Sequence, residues 1–574
     1  MDLRHLVDEP TADEVTAVDR VLGPPTSGWE GGVFEDTDGR VAYGGHDLRQ
    51  RRHELLPALH ALQEARGWVS PGGLGYVCRR LGVPPAEAYG VATFYAMFAT
   101  EERPTRVVHV CDDIVCADRG EALASRLADD GQTVVSSPCL GRCEMAPVAL
   151  VQQTGGPPTA FEAAPPPTVH QDPSQLELLR RVGVVDPSSL TDYEASGGLA
   201  ALRRARELGA DAVLDELERS GLRGRGGAAF PIGAKWRAVR DAPGDLKHVV
   251  ANGDESEPGT FKDRVLMEGD PFAVVEALAI AALVTGAARG YLYVRGEYPE
   301  AVGAIRHAVD VLAAAGHLDH VDLEVRVGAG AYICGEETAL FASIEGHRGE
   351  PRQKPPFPTT NGLFDRPTAV NNIETLAAVL QVLEVGGEAF AAVGTENSTG
   401  TKLFAVSGAV ARPGVYEVPF GTTLDALIDL AGGAVGGIGA VLLGGAAGVF
   451  VGPDAVDLPL SVEDAAAAGA TLGSGAVVVF DAATDFGPVV RRIAAFFRDE
   501  SCGQCVPCRV GTVRQEEALV RLGAGRPLGS TDTERALLAD IDAVMTDASI
   551  CGLGRTAASA VRSALALDLP GVAP

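Results

Sequence analysis

The stretch HVVANGDESEPG, residues 248–259, decides the architecture. His248 to Asn252 is a short apolar run of the kind that fills a strand covered on both faces. It ends in three acids within four positions, Asp254, Glu255 and Glu257. Carboxylates at the C-terminal end of a buried strand are costly to desolvate unless they face water, a cation or the polar edge of a ligand. A solvated loop stays open as the plainer reading. Two further runs, YLYVRG at 291–296 and LEVRVGAG at 323–330, alternate with helical patterns. Residues 190–398 are therefore expected to form an α/β domain with its chemistry at the strand ends.

Three flanking motifs repeat this design. Upstream, SGLRGRGGAAFPIGAKW (220–236) carries Gly224, Gly226, Gly227 and Phe230 and closes on Lys235. Glycines let backbone amides turn inward on a phosphate, and a lysine supplies countercharge. Gly224-x-Gly226-x-x-Ala229 nearly matches a dinucleotide fingerprint, but it follows a helical pattern rather than a strand, which disfavours an ordinary Rossmann site. A glycine turn without a ligand is the alternative. Downstream, GAGAYICGEET (328–338) places Tyr332 and Gly335 before the paired acids Glu336 and Glu337. KPPFP (354–358) with Phe357 then leads to VNNIET (370–375) with Asn371 and Asn372. Paired asparagines alone more often satisfy turns. Together the motifs describe a site for a phosphate, a sugar and a planar ring.

Two cysteine sets flank this region. SCGQCVPCR gives Cys502, Cys505 and Cys508, with Cys551 alone in SICGLG. Zinc would accept four sulfurs, but its structural sites usually present two C-x2-C pairs; a triple plus a distant single reads as a 4Fe-4S site. Cys111 and Cys116 (CDDIVC), followed by Cys139 and Cys143 (CLGRC), come after strand-like runs and suit a 2Fe-2S cluster held by two loops, with zinc or disulfides as alternatives. Disulfides are disfavoured because MDLRHLVDEP lacks a basic and an apolar signal segment, which also sets a cytoplasmic expectation. Asp112 and Asp113 beside this set should lower its potential. Cys78 and Cys334 are expected to be free thiols.

At 574 residues the chain exceeds one core. The expected order is a flexible leader (1–45), a helical segment (46–100), a small layered βα domain (101–153), a linker (154–189), the α/β domain (190–398), a β-grasp-like module (399–482) and a helical bundle (483–574). In the bundle, Thr531 and Glu534 suggest a capping box, and Leu537, Leu538, Ile541, Val544 and Met545 one buried face. A formal charge of −29 argues against a nucleic-acid partner. Leu430 to Pro453 carries no charge, yet its glycine pairs read as turns between short strands, not as a membrane span.

GLRGRGGAAFPIGAKW, NGDESEPGTFKDR, GAGAYICGEETAL, KPPFP, TAVNNIET and ESCGQCVPCR, in this order, resemble the NADH-binding flavoprotein subunit of respiratory complex I and its relatives, the diaphorase subunits of NAD-reducing hydrogenases and of NAD-dependent molybdenum or tungsten formate dehydrogenases. The likeness covers about residues 190 to 574. Residues about 45 to 152, with VATFYAMF, CDDIVC and CLGRCEMAPV, resemble the thioredoxin-like 2Fe-2S subunit that accompanies it. The chain looks like a fusion of the two.

The resemblance implies a thioredoxin-like 2Fe-2S domain, a Rossmann-like domain for FMN and NAD(H), an SLBB-like β-grasp domain and a helical 4Fe-4S domain. By it, the glycine loop and Lys235 wrap the FMN phosphate or the entering nucleotide, and Asn371 and Asn372 help hold that phosphate. Asn252, Asp254 and Glu255 hold the ribityl chain and flavin edge. Glu257 borders the nicotinamide, so Glu255 and Glu257 are the candidates nearest the chemistry. Phe230 and Phe357 stack on NADH, and Tyr332, Gly335, Glu336 and Glu337 line the remaining wall. Glu336 is the first choice for a carboxylate at the ribose that favours NAD over NADP. Where the family has Gly-Ala-Gly-Phe, this chain has Gly-Ala-Ala229-Phe230.

The implied partner is a catalytic subunit with further iron–sulfur clusters, by family analogy the molybdopterin subunit of a formate dehydrogenase, with hydrogenase and complex I as alternatives. Hydrogenase-linked fusions often have a degenerate N-terminal cysteine set; all four are present here. A non-catalytic iron–sulfur scaffold or redox sensor is the reading from a different class.

Overall fold

The computed structural model of the chain describes residues 8–30, 32, 46–161 and 166–572. Four strands, β1 (Arg106–Cys111), β2 (Val134–Ser137), β3 (Ala149–Gln153) and β4 (Thr159–Ala160), form a first sheet in the order β2-β1-β3-β4. β1 pairs parallel to β2 and antiparallel to β3. Helix Ala117–Asp129 buries Leu123 and Leu127 against Val108 and Val110. β1 ends on Cys111, so its direction delivers that thiol to the domain's edge.

The central sheet holds β5 (His248–Gly253), β6 (Arg289–Val294), β7 (Asp322–Val327) and β8 (Thr368–Asn372) in the order β7-β6-β5-β8, all parallel. The register sets Ala251 opposite Asn371 and Asn252 opposite Asn372, bringing the asparagines of two distant motifs to one sheet end. Helix Pro271–Thr285, apolar around its circumference, is almost wholly buried beside this sheet. Its one carboxylate, Glu276, accepts from Tyr193 Oη and from the amides of Leu199 and Leu202, so the buried charge is fully bonded.

A third sheet joins β9 (Thr401–Gly408), β10 (Gly414–Pro419), β11 (Ala440–Leu443), β12 (Val449–Val451) and β13 (Ala476–Phe480) in the order β10-β9-β13-β11-β12. The uncharged stretch around residue 440 is the β11–β12 hairpin and its turns. Among the described residues no helix is long and apolar enough to cross a membrane. Helices Phe486–Asp499, Val506–Gly523, Thr531–Ala548, Gly552–Thr556 and Ser559–Ala566 complete the chain.

Three expectations are corrected. The leader is not flexible throughout: Ala12–Leu22 is a helix opened by a Thr11/Glu14 capping box, with Val18 and Leu22 in the core and Asp19 paired to the fully buried Arg80. Of the rest of 1–45, residues 1–7, 31 and 33–45 lie outside the described residues. The linker is packed in its second half, where Leu176, Leu178, Leu179 and Val182 join the central core. Finally, the bundle's cap is Ser530, whose hydroxyl accepts from Thr533 N; Glu534 instead takes Arg521 and the amide of Leu528. On that helix Leu538 and Met545 are buried while Leu537 and Val544 are exposed.

Glu417 on β10 pins the packed segment to the third sheet. Its carboxylate, 4% exposed, accepts from the amides of Leu178 at 2.9 Å and Leu179 at 3.0 Å, from that of Glu177, and from Thr401 Oγ1 at 2.7 Å. Glu417→Ala would leave three amides without an acceptor. Their protection from hydrogen exchange should fall by about 3 kcal/mol of local opening free energy. Unaltered exchange at Leu178 and Leu179 would show that the segment is held by packing alone.

Candidate functional site

The C-terminal ends of β5 and β8 lie side by side and make the floor of the candidate site. Asn252 Nδ2 donates to Gly335 O at 2.9 Å and its Oδ1 accepts from Asp254 N, which ties the acidic turn to the turn before helix Glu337–Ile344. Trp236 Nε1 donates to Asn371 Oδ1 at 3.2 Å. Two buried polar atoms on this floor have no hydrogen-bond partner, Asn371 Nδ2 and Asp254 Oδ2. Burial pushes the Asp254 carboxyl well above its usual range, with Arg295 opposing. Buried polar atoms left unpaired at the ends of adjacent strands are groups that a bound polar ligand would satisfy.

The neighbouring acids differ in what they touch. Glu255, 6% exposed, turns away from the cleft: its two oxygens accept from the amides of Asp263 at 2.9 Å and Arg264 at 3.0 Å, in the first turn of helix Lys262–Gly269. Burial, with Asp263 nearby, raises its pKa to about 8. Glu255 thus caps a helix with both of its oxygens. Glu257 stands at the junction of three domains, accepting from Tyr332 Oη at 2.6 Å and from Ala447 N at 2.7 Å, and burial pushes it up to about 7. Tyr332 N in turn donates to Glu500 at 2.9 Å, and its ring meets Phe496 edge-on at 5.0 Å.

Glu336 caps helix Glu337–Ile344, accepting from the amides of Thr338 and Ala339, while its other oxygen takes Lys354 Nζ at 3.0 Å. Lys354 also reaches Glu337 at 2.7 Å, so one cation spans both acids. On the opposite wall Lys235 Nζ donates to Val370 O at 2.9 Å and lies 5.9 Å from the centre of the Phe230 ring. Phe230 and Phe357 are 51% and 58% exposed, unusual for phenylalanine and suited to stacking. A Cβ on Gly226 would stand 3.1 Å from Asn372 Cβ, and one on Gly335 3.3 Å from Asp254 O, so these glycines let the walls approach. Ala229 adopts φ +49°, the left-handed region that glycine enters without cost.

Four residues escaped the sequence reading. Asn372 Nδ2 donates to Asp263 Oδ2 at 2.6 Å, Asp263 pairs with Lys262 at 2.7 Å, Lys262 lies 3.0 Å from Glu374, and Glu374 lies 3.2 Å from Lys402 in the third sheet. Glu374 and Lys262 are fully buried. The only sequence signal was the run KDR directly after the acidic turn; partners more than a hundred residues away carry none.

Cys111, Cys116, Cys139 and Cys143 are buried and meet: Cys111 contacts Cys116 and Cys139, and the sulfurs of Cys139 and Cys143 are 3.6 Å apart. Cys502 and Cys508 are buried while Cys505 and Cys551, each preceding a helix, are half-buried; all four share one cluster of packed residues. A Cβ on Gly554 would lie 2.9 Å from Cys508 Cβ, which places the helix after Cys551 against the triple. Among the described residues no three ligating side chains close on a point as a single ion's would. A donor set made only of thiols suits iron–sulfur chemistry. Cys78 and Cys334 are buried and free.

Four family models match the chain: the thioredoxin-like [2Fe-2S] ferredoxin over residues 44–157, the Nuo51 FMN-binding domain over 217–381, the SLBB domain over 403–440 and the NADH-ubiquinone oxidoreductase-F iron–sulfur binding region over 488–567. The F 2 subunit of the NADH-quinone oxidoreductase of Rhizobium meliloti is 41% identical over 400 residues, 68% of this chain and 94% of that protein. NAD-reducing hydrogenase HoxS subunit alpha of Cupriavidus necator is 32% identical over 581 residues, covering 92% of this chain and 93% of that one. A chain of the H2-reduced NAD+-reducing [NiFe]-hydrogenase structure superposes with a TM-score of 0.80 at 33% identity, over 90% of this chain and 92% of that chain. Fold and sites therefore define an NAD-dependent oxidoreductase subunit with FMN, a 2Fe-2S and a 4Fe-4S cluster as its cofactors. The chain belongs to the family of NADH-binding flavoprotein subunits, with the thioredoxin-like 2Fe-2S domain joined to its N-terminal side.

Glu257 has a pH signature. It holds its proton up to about 7 in the folded protein against the usual 4.5, so its contribution to stability is full below 4.5 and is lost as pH rises through about 7. Glu257→Gln, a permanent neutral group, should make the fall of melting temperature between pH 5 and 8 shallower by about one proton's worth. Coincident slopes would assign Glu257 an ordinary pKa.

Proposed function

We propose that the cleft seats FMN with its phosphate on the amides around Gly224, Gly226 and Gly227, Lys235, Asn371 and Asn372, and its ribityl chain on Asn252 and Asp254. The unpartnered donor Asn371 Nδ2 and, separately, the unpartnered acceptor Asp254 Oδ2, at the ends of the adjacent strands β8 and β5, carry this reading. Tyr332 and Gly335 close the flavin wall. NAD(H) enters between the exposed rings of Phe230 and Phe357, with Glu257 bordering the nicotinamide and the Lys354-bridged pair Glu336 and Glu337 at the ribose. Bound FMN supplies the conversion between two-electron hydride exchange with nicotinamide and one-electron exchange with the clusters. The protein's part is positioning: Trp236 fixes Asn371, Tyr332 fixes Glu257, and no side chain need move a proton for the hydride step.

Cys111, Cys116, Cys139 and Cys143 would ligate the 2Fe-2S cluster, and Cys502, Cys505, Cys508 and Cys551 the 4Fe-4S cluster. The half-exposure of Cys505 and Cys551 gives the second cluster an edge toward a partner. The chain then works in the cytoplasm beside a catalytic subunit carrying further iron–sulfur clusters. The partner proposed is the molybdopterin subunit of a formate dehydrogenase, supported by the complete, converging N-terminal thiol set. Likeness to a hydrogenase chain over 90% of the length favours, as a second reading, a hydrogen-oxidising partner.

Two experiments test this. Replacing Glu336 by Gln keeps an acceptor for the helix amides but removes the charge at the ribose. The ratio of kcat/KM for NADH over NADPH should fall about tenfold, roughly 1.4 kcal/mol, and unchanged discrimination would sink the ribose assignment. Anaerobic purification of the native complex should yield FMN, iron and a pterin metal with formate-dependent NAD reduction. Hydrogen-dependent NAD reduction with nickel would instead select the second reading, and a complex that binds no flavin would overturn both.

A further inference from the structure

One helix ties the two cysteine sites together. Phe486–Asp499 runs directly into Glu500 and the loop of Cys502. Midway along it, Arg492 reaches the other set: Nη2 lies 2.8 Å from Asp112 Oδ1 and 3.8 Å from Asp113 Oδ2. Both aspartates occupy the turn between Cys111 and Cys116. Asp113, 2% exposed, braces that turn by accepting from Ile114 N at 2.8 Å and from Cys139 N at 3.2 Å, so it touches both ligand loops. Arg492 also feels the charge of Cys111 itself. From the opposite side Arg295 donates to Cys139 O at 2.7 Å, but its charge is matched locally by Glu297, also at 2.7 Å.

We propose that Arg492, supplied by the C-terminal domain, is a positioning residue that raises the reduction potential of the 2Fe-2S group by offsetting Asp112 and Asp113. The proposal rests on the reading of Cys111, Cys116, Cys139 and Cys143 as that group's ligands. Reduction adds one electron to an already anionic cluster, so each nearby carboxylate opposes it and a nearby guanidinium favours it. The two aspartates, expected from sequence to lower the potential, sit beside a cation that offsets them and that sequence could not place there. Their role is to orient Arg492 and the two loops as much as to add charge. The potential of one cluster consequently depends on the docking of the domain that holds the other.

An EPR-monitored redox titration of the anaerobic holoenzyme tests this. In Arg492→Gln the reduced-to-oxidised ratio of the 2Fe-2S signal at a fixed ambient potential should fall about tenfold, the order expected of one unit charge at an effective dielectric of about 20. For a one-electron couple that is about 59 mV. Arg492→Lys should retain most of the native value, Asp112→Asn should shift the potential the opposite way, and the 4Fe-4S potential should stay put in all three. An unmoved 2Fe-2S potential in Arg492→Gln, or equal shifts in the Gln and Lys variants, would overturn the proposal. If Arg492→Gln loses the cluster, an unmoved potential in Asp112→Asn overturns it and a raised one upholds it. Absence of a 2Fe-2S signal from the unsubstituted protein would instead refute the ligand reading.

Discussion

Glu374 sits fully buried between two lysines, Lys262 and Lys402, and also accepts the amide of Leu403 at 2.9 Å. Buried charges of this kind are tolerable only when each is paired and hydrogen-bonded, and breaking one pair strands the others. The knot joins the end of β8, the helix that follows the acidic turn and the first strand of the third sheet. Because Asp263 in the same knot holds Asn372, the floor of the cleft is set by the electrostatics of a domain junction. The ends of β5 and β8 are thus fixed from behind, leaving the Phe230 and Phe357 rings exposed.

The same economy recurs at the other junctions. Glu257 links the acidic turn to Tyr332 and to the third sheet, and Glu500 links Tyr332 to the helix that precedes the second cysteine set. Each is a single carboxylate with a hydrogen bond that crosses from one domain to another. Such contacts hold orientation more than they add stability, since the cost of burying the charge offsets much of the hydrogen bonding. For a chain that must keep several redox groups in fixed relation, orientation is the quantity that matters.

Much of this was legible locally. Motifs that place glycines, acids and asparagines at strand ends could be read from composition and order, because a parallel sheet collects its loops at one edge. The cysteine spacing likewise announced two sets, which fall within the two iron–sulfur family matches. What escaped was nonlocal: nothing near Arg492 in FGPVVRRIAAFF distinguishes it from a surface arginine until the helix is docked. The capping role of Glu255 also escaped, because an acid at a strand end and an acid capping the next helix look alike in sequence. The Thr11/Glu14 box was present in TADE but lay in a stretch whose prolines and glycines suggested disorder, and at Ser530-Thr531 two adjacent cap residues competed.

Ala229 carries a consequence of its own. Its methyl group makes the left-handed backbone at φ +49° costly in the folded loop, yet alanine also has fewer conformations to surrender than glycine when the chain folds. The loop therefore keeps this turn only because the packing around it offsets that cost, and it is shaped without a ligand. A cradle that is already shaped loses little freedom on occupation, so its grip on a ligand reflects contact energy with little ordering cost to subtract.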